Sequence, residues 1–158
     1  KRGSFLSCFK QNEELFNKVW FDKKICQINL SLTRKKGTIR GLHYQEKPYQ
    51  ESKLIRCLRG KVWDVVIDLR KNSKTYKKWF SLELCSSKNN AIFVPEGCAH
   101  GFQSLQDNCE LLYIHSNNYK PSHESGIKWD DPTINVSWPL NLAEISDRDN
   151  SLPYLEEI

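Results

Sequence analysis

From residue 25 to residue 115 the chain is a succession of short runs rich in β-branched and aromatic residues, each ended by turn chemistry within a few residues. The runs are Ile25–Leu32, Thr38–Tyr44, Lys53–Arg59, Lys61–Leu69, Trp79–Leu84, Ala91–Val94, Gly101–Leu105 and Cys109–His115. In Lys61–Leu69 the residues Val62, Asp64, Val66 and Asp68 alternate with Trp63, Val65, Ile67 and Leu69, so one strand face is wholly apolar and the other carries two acids. Gly60 separates two runs and predicts a tight connection between neighbours. Helical signal is thin: Gln11–Lys18 predicts one short helix, with Asn12 as cap and Glu13 and Glu14 in its first turn, and Ser146–Asn150 predicts one more turn. From Pro132 onward the chain is rich in turns. Many short strands and few helices make an all-β fold, a sandwich or barrel with the jelly roll as the expected form, and 158 residues fit one domain, 1–158, around one core.

With 39% hydrophobic and 11% aromatic residues the chain can fill that core, and no apolar run approaches the ~18 residues of a membrane helix. No signal-peptide pattern opens the sequence, which predicts a cytoplasmic protein with no membrane partner. The chain begins at Lys1 and contains no Met, so the initiator and a longer N-terminal stretch are expected to be missing. Its formal net charge of +5 is spread along the length, and no nucleic-acid motif stands behind it, so nucleic acid is not the expected partner. A ligand bearing a diphosphate accounts for basic residues equally well. The cysteines Cys8, Cys26, Cys57, Cys85, Cys98 and Cys109 form no CxxC pair; they are expected to be free, mostly buried thiols.

Four histidines are available for chemistry. His115 and His123 adjoin polar, loop-like sequence and read as surface residues. His43 lies in Arg40-Gly41-Leu42-His43-Tyr44-Gln45, where strand alternation sets Arg40, Leu42 and Tyr44 on one face and His43 and Gln45 on the other. His100 follows a strand and a turn in Val94-Pro95-Glu96-Gly97-Cys98-Ala99-His100-Gly101-Phe102. Taken singly, each is as well explained as a satisfied core histidine. There is no H-x-H pair, and two isolated histidines are a weak ligand set, so no metal is expected.

The segments RGLHYQ (Arg40–Gln45), KLIRCLRGKVWDVVIDLR (Lys53–Arg70), VPEGCAHGF (Val94–Phe102), YIHSNNYKP (Tyr113–Pro121), ESGIKWDDPTINVSWP (Glu124–Pro139) and ISDRD (Ile145–Asp149) run in one order over almost the whole chain. Together they resemble the dTDP-4-dehydrorhamnose 3,5-epimerase family. The resemblance implies a cupin-like jelly roll with a few short peripheral helices, and a homodimer that exchanges an N-terminal strand. By the resemblance, His43 is the general base, Asp149 its partner carboxylate, Lys53 the cation at the sugar's keto oxygen, and Tyr113 the acid on the opposite face. Arg40 and His100 match residues lining the sugar and diphosphate, and Arg2, Gln27, Asn29 and Glu124 fall where the family contacts the nucleotide.

That residue set suits one chemistry. A 4-keto sugar has acidic C–H bonds at C3 and C5; removing a proton gives an enolate, and returning one to the other face inverts the carbon. Imidazole starts near the pKa such a base needs, and a carboxylate behind it fixes the tautomer. No cofactor is required, because the substrate's own carbonyl is the electron sink. Close alternatives are a C3-only epimerase and a non-catalytic nucleotide-sugar-binding jelly roll. A metal-dependent cupin enzyme, lacking an H-x-H motif, fits least. Ser7, Ile28, Asn118 and Ile114 depart from the family's usual Glu, Asp, aromatic and Lys, and are expected to alter thymidine recognition while leaving proton transfer intact.

Overall fold

The computed structural model describes residues 2–3, 5–10, 14–20 and 22–157. Two antiparallel sheets lie face to face. The first, of four strands, has the order β1 (Gln27–Thr33), β8 (Cys109–His115), β3 (Lys53–Arg59) and β6 (Ala91–Val94). The second, of five, has the order β5 (Trp79–Cys85), β4 (Lys61–Asp68), β7 (Cys98–Ser104), β2 (Ile39–Gln45) and β9 (Glu124–Gly126). Together they form a cupin-like jelly-roll β-sandwich. The short helices α1 (Glu14–Trp20) and α2 (Asp147–Asn150) lie at its periphery.

Each expected strand is present, with two corrections. β7 starts at Cys98 rather than Gly101, and the short β9 had no sequence signal. Gly60 does join consecutive strands, but they belong to different sheets: β3 pairs with β6 and β8, whereas β4 pairs with β5 and β7. α1 ends two residues later than expected; Gln11, Asn12 and Glu13, including the expected cap, lie outside the described residues.

Apolar side chains set the layers. Between the sheets, Ile55, Cys57, Ile92, Val94, Cys109 and Leu111 of the first meet Val62, Leu84, Cys98 and Phe102 of the second. The outer face of the second sheet (Leu42, Val65, Ile67, Ala99) is covered by Ile127, Ile134, Trp138 and Leu155 from the turn-rich C-terminal part. The outer face of the first, at Leu54 and Ile114, is covered by Phe9, Phe16 and Trp20. β4 is therefore buried on both faces, and its two acids point between the sheets. Asp68 closes the turn that follows, accepting from Arg70, Ser73 and Thr75, and the Arg70 guanidinium holds its carboxyl far below the usual range. All six cysteines are free, four of them buried, and burial pushes the Cys57 and Cys98 thiols up to about 11, which keeps them protonated and unreactive near neutrality.

One end of the space between the sheets lacks this apolar filling. It is a cavity of about 640 Å³, within the range of small-ligand sites. The C-terminal tail closes one side: Ile39 N–H donates to Glu144 O (3.0 Å), Ala143 N–H to Gly37 O (3.0 Å) and Lys128 N–H to Pro153 O (2.9 Å). The first two tie the tail to the start of β2 and the third ties it beside β9, with α2 held between them at the cavity's rim.

Candidate active site

The second sheet supplies His43, His100 and Phe102 to the cavity, and the first supplies Lys53, Tyr113, His115 and the inner face of β1. Strand alternation alone would set Arg40 and His43 on opposite faces, but both line the cavity. The reason is a bulge. β2 pairs with β7 at Arg40↔Phe102 and next at His43↔His100, so three steps along β2 match two along β7 and the alternation slips by one. Gly41 makes the slip possible. Its φ is 121°, and a Cβ there would stand 2.6 Å from Gly101 Cα, so the two backbones approach closely only because both residues are glycine.

His43 Nε2 donates to Asp149 Oδ1 at 2.9 Å, across 106 residues of sequence. Asp149 is buried, and its Oδ2 accepts the Gly41 N–H at 3.0 Å. The Ser146 hydroxyl caps α2 by accepting from Asp149 N–H at 3.1 Å, fixing the carboxylate's position. Burial opposes ionisation of Asp149, but the His43 hydrogen bond and charge, with the Gly41 N–H, outweigh it and hold the carboxyl below the ordinary aspartate value. Nε2 being committed to Asp149, His43 keeps Nδ1 for a ligand.

Tyr113 comes from the opposite sheet, its ring edge-on to His100 (centroids 6.1 Å) and stacked with His115 (6.0 Å). Burial raises its phenol well above the ordinary tyrosine range, so it is a neutral O–H near neutral pH. Lys53, also buried, is held by Glu51 Oε1 at 3.2 Å. His100 donates Nε2 to Asp64, 3.0 Å from each carboxylate oxygen; burial raises the Asp64 carboxyl, and His100 and Lys53 only partly counter it. Arg40 is steadied by Nε to Thr33 Oγ1 (3.0 Å) and Nη2 to Leu32 O (3.2 Å).

Gln27, Asn29 and Glu124 also line the cavity. Gln27 donates to Asn29 Oδ1 at 3.0 Å and accepts the Tyr119 N–H at 3.0 Å. Glu124 pairs with Arg148 and accepts from the Tyr119 hydroxyl; burial pushes its carboxyl up, but these two partners bring it below its ordinary value. Arg2 is the exception among the expected residues. It is exposed and does not line the cavity, because the N-terminal segment runs to the outer face of the first sheet, where Phe9, Phe16 and Trp20 anchor.

His115 corrects the sequence reading in the other direction: it is no surface residue but the buried end of β8, inside the cavity. It lies two residues after Tyr113, and period two predicts that they share a face. Glu51, Asp64, Tyr119 and Arg148 were missed as well; for Asp64, the acids alternating within an apolar strand were a usable signal. Of the four departures from the family pattern, only Ile28 lines the cavity. Ile114 points to the outer face and packs with Trp20 and Leu54, Ser7 bonds Phe9 O in the N-terminal segment, and Asn118 lies outside the cavity lining. Among the described residues, no group of three or more His, Cys, Asp or Glu is gathered as a metal site.

The family model for dTDP-4-dehydrorhamnose 3,5-epimerase matches residues 1–157. A dTDP-4-dehydrorhamnose 3,5-epimerase of Methanothermobacter thermautotrophicus is 41% identical over 161 aligned residues, covering 99% of this chain and 84% of the relative. The crystal structure of the Bacillus anthracis dTDP-4-dehydrorhamnose 3,5-epimerase, with TDP and PPi bound, superposes with a TM-score of 0.92 at 34% identity, covering 98% of this chain and 87% of that one. The Legionella pneumophila dTDP-6-deoxy-D-glucose-3,5-epimerase, in complex with dTDP-4-keto-L-rhamnose, gives a TM-score of 0.92 at 32% identity, covering 100% and 83%. In sequence over nearly its full length and in fold, this chain belongs to the dTDP-4-dehydrorhamnose 3,5-epimerase family.

Proposed function

We propose that the chain, acting as one domain over 1–158, inverts C3 and C5 of a nucleotide-linked 4-keto-6-deoxyhexose without a cofactor. The observation that carries this is an imidazole–carboxylate pair on one wall of a single cavity and a neutral phenol on the facing wall. His43 Nδ1 takes the proton from carbon beside the ketone, and Asp149 stabilises the imidazolium that forms. Negative charge moves to the keto oxygen, where Lys53 meets it; a preorganised donor of this kind is worth about 3 kcal/mol in the transition state. Tyr113 returns a proton from the other face. Arg40, His100, Gln27, Asn29 and Glu124 hold the sugar, diphosphate and nucleoside. The relative solved with dTDP-4-keto-L-rhamnose supports the substrate class.

Turnover of dTDP-4-keto-6-deoxyglucose in deuterated water tests the reading. Label is expected at both C3 and C5 of an inverted product. Label at C3 alone would reduce the activity to single epimerisation, and binding without label would make the chain a binding module.

A homodimer belongs to the same proposal. β1 is an edge strand, and its Ile28, Leu30 and Leu32 are 57%, 69% and 40% exposed, an apolar stripe suited to a second subunit, with Ile28 and Leu30 also reaching the cavity's open side. Exchange of N-terminal segments would give Arg2 a route to the neighbouring cavity. Sedimentation equilibrium is expected to report twice the chain mass; a monomer at micromolar concentration would overturn this part. A cytoplasmic location is proposed on the free cysteines and on the lack, among the described residues, of any helix long and apolar enough to cross a membrane.

A further inference from the structure

The cavity contains three histidines, and each has its own carboxylate: His43 with Asp149, His100 with Asp64, and His115 with Glu51. The mechanism uses the first, and the second adjoins Tyr113 at the reacting end. The third has no role there, yet it is built with equal care. His115 Nδ1 donates to Glu51 Oε2 at 2.8 Å, and both side chains are almost fully buried. Glu51 also takes Lys53 on its other oxygen. Burial alone would raise the Glu51 carboxyl, but the His115 hydrogen bond and the Lys53 ammonium hold it below its ordinary value, so it is an anion behind the ring.

Strand register fixes what His115 can reach. It is directly opposite Gln27 on one side and Lys53 on the other, so the three make one row across the cavity wall. The row runs from a residue proposed for the nucleoside to one proposed for the sugar ketone, and the diphosphate is the part of the ligand that joins them. With Nδ1 committed, Nε2 is the ring edge turned to β1, where it accepts one long hydrogen bond, 3.4 Å from Asn29 Nδ2, that a ligand oxygen can replace. The titratable groups facing the ring are Glu51 and Lys53 from the start of β3 and Tyr113 from β8, while β1 offers only uncharged Gln27 and Asn29.

Charge balance supplies the second argument. Among the described residues lining the cavity, Arg40, Lys53 and Arg148 are matched by Glu51, Glu124 and Asp149, so the fixed charges cancel. A nucleoside diphosphate brings several negative charges into that balanced site. His43 cannot supply the missing cation, because a general base must start unprotonated.

We propose that His115 is a further substrate-binding residue: as an imidazolium backed by Glu51 it donates Nε2–H to the diphosphate, taking one proton from solvent as the ligand binds. The inference rests on the nucleotide-sugar reading of the site, and calorimetry can separate the two. dTDP is titrated into the full chain at one pH in two buffers of different ionisation enthalpy. Wild type is expected to take up protons on binding dTDP but not thymidine. His115→Gln is expected to bind dTDP about tenfold or more weakly, the loss of one charge-assisted hydrogen bond, with less uptake. Glu51→Gln, which keeps the side chain's shape, is expected to lower the uptake too. Proton uptake that is absent in wild type, or unchanged in either folded variant, overturns the role of His115 and leaves the epimerase reading standing. Failure of wild type to bind dTDP or any other nucleoside diphosphate sinks the reading and this inference together.

Discussion

Asn in place of His43 is expected to lower turnover by about 10³- to 10⁴-fold, with loss of solvent deuterium from both C3 and C5 of recovered substrate and product. Neither of the cavity's other two imidazoles can take its place: His100 is spent on a buried carboxylate, and His115 lies farther along the other sheet beside Gln27 and Lys53. The fold should survive, because His43 is only half-buried and Asp149 keeps the Gly41 N–H and the cap of α2. Asp149→Asn is the informative companion. An amide that donates to Nε2 forces the ring proton onto Nδ1, the nitrogen proposed to act as base, so a comparable loss is expected with the geometry unchanged. The pH dependence distinguishes the partners. Asp149 has a lowered folded pKa, so its contribution to stability is present above the unfolded aspartate value and fades as pH falls through the lower folded one. The stability profile of Asp149→Asn is therefore expected to lack that acid-side fading. If the His43→Asn protein still exchanged label at wild-type rates, the base would have to be sought elsewhere in the cavity.

How far the sequence alone reaches differs between fold and site. Strands such as Lys53–Arg59 and Cys109–His115 are legible to the residue because their apolar runs are bounded by Ser52 and Gly60 and by Asn108 and Ser116. β9 is not, since Glu-Ser-Gly carries no strand propensity and is a strand only through its pairing with β2. Nor is the partition into sheets: nothing local tells that the chain changes sheet at Gly60. Within the site, the chemistry-bearing types were visible, but their company was not. Asp149 reaches His43, and Glu51 reaches His115, only through packing of segments far apart in sequence. The bulge at Gly41 brought to one face Arg40 and His43, which alternation had assigned to opposite faces. Arg2 is a different case: the N-terminal segment runs over the outer face of the first sheet, so Arg2 does not line the cavity of its own chain.

Phe in place of Tyr113 is expected to separate the two halves of the reaction. The ring would keep its packing between His100 and His115, and only the hydroxyl is lost, so stability should change little. Proton abstraction belongs to the other wall and should persist. In deuterated water, substrate is expected to gain label with retained configuration, as His43 returns a solvent-exchanged proton to the face it came from. Formation of inverted product is expected to fall by about 10²- to 10⁴-fold. The raised pKa of Tyr113 bears on this in two ways. It keeps the phenol protonated and ready over the whole working pH range, so no alkaline loss of activity should trace to Tyr113 below the ordinary tyrosine value. It also makes a buried phenolate costly, and Arg40, which lowers this pKa in the resting site, is the cation available to offset that charge until a solvent proton replaces the one delivered. An enolate is a far stronger base than a phenolate, so the transfer still runs downhill. Were Tyr113→Phe to invert substrate at an undiminished rate, the proton would have to arrive from water, and the facing-wall arrangement on which the proposed double inversion depends would lose its chemical purpose.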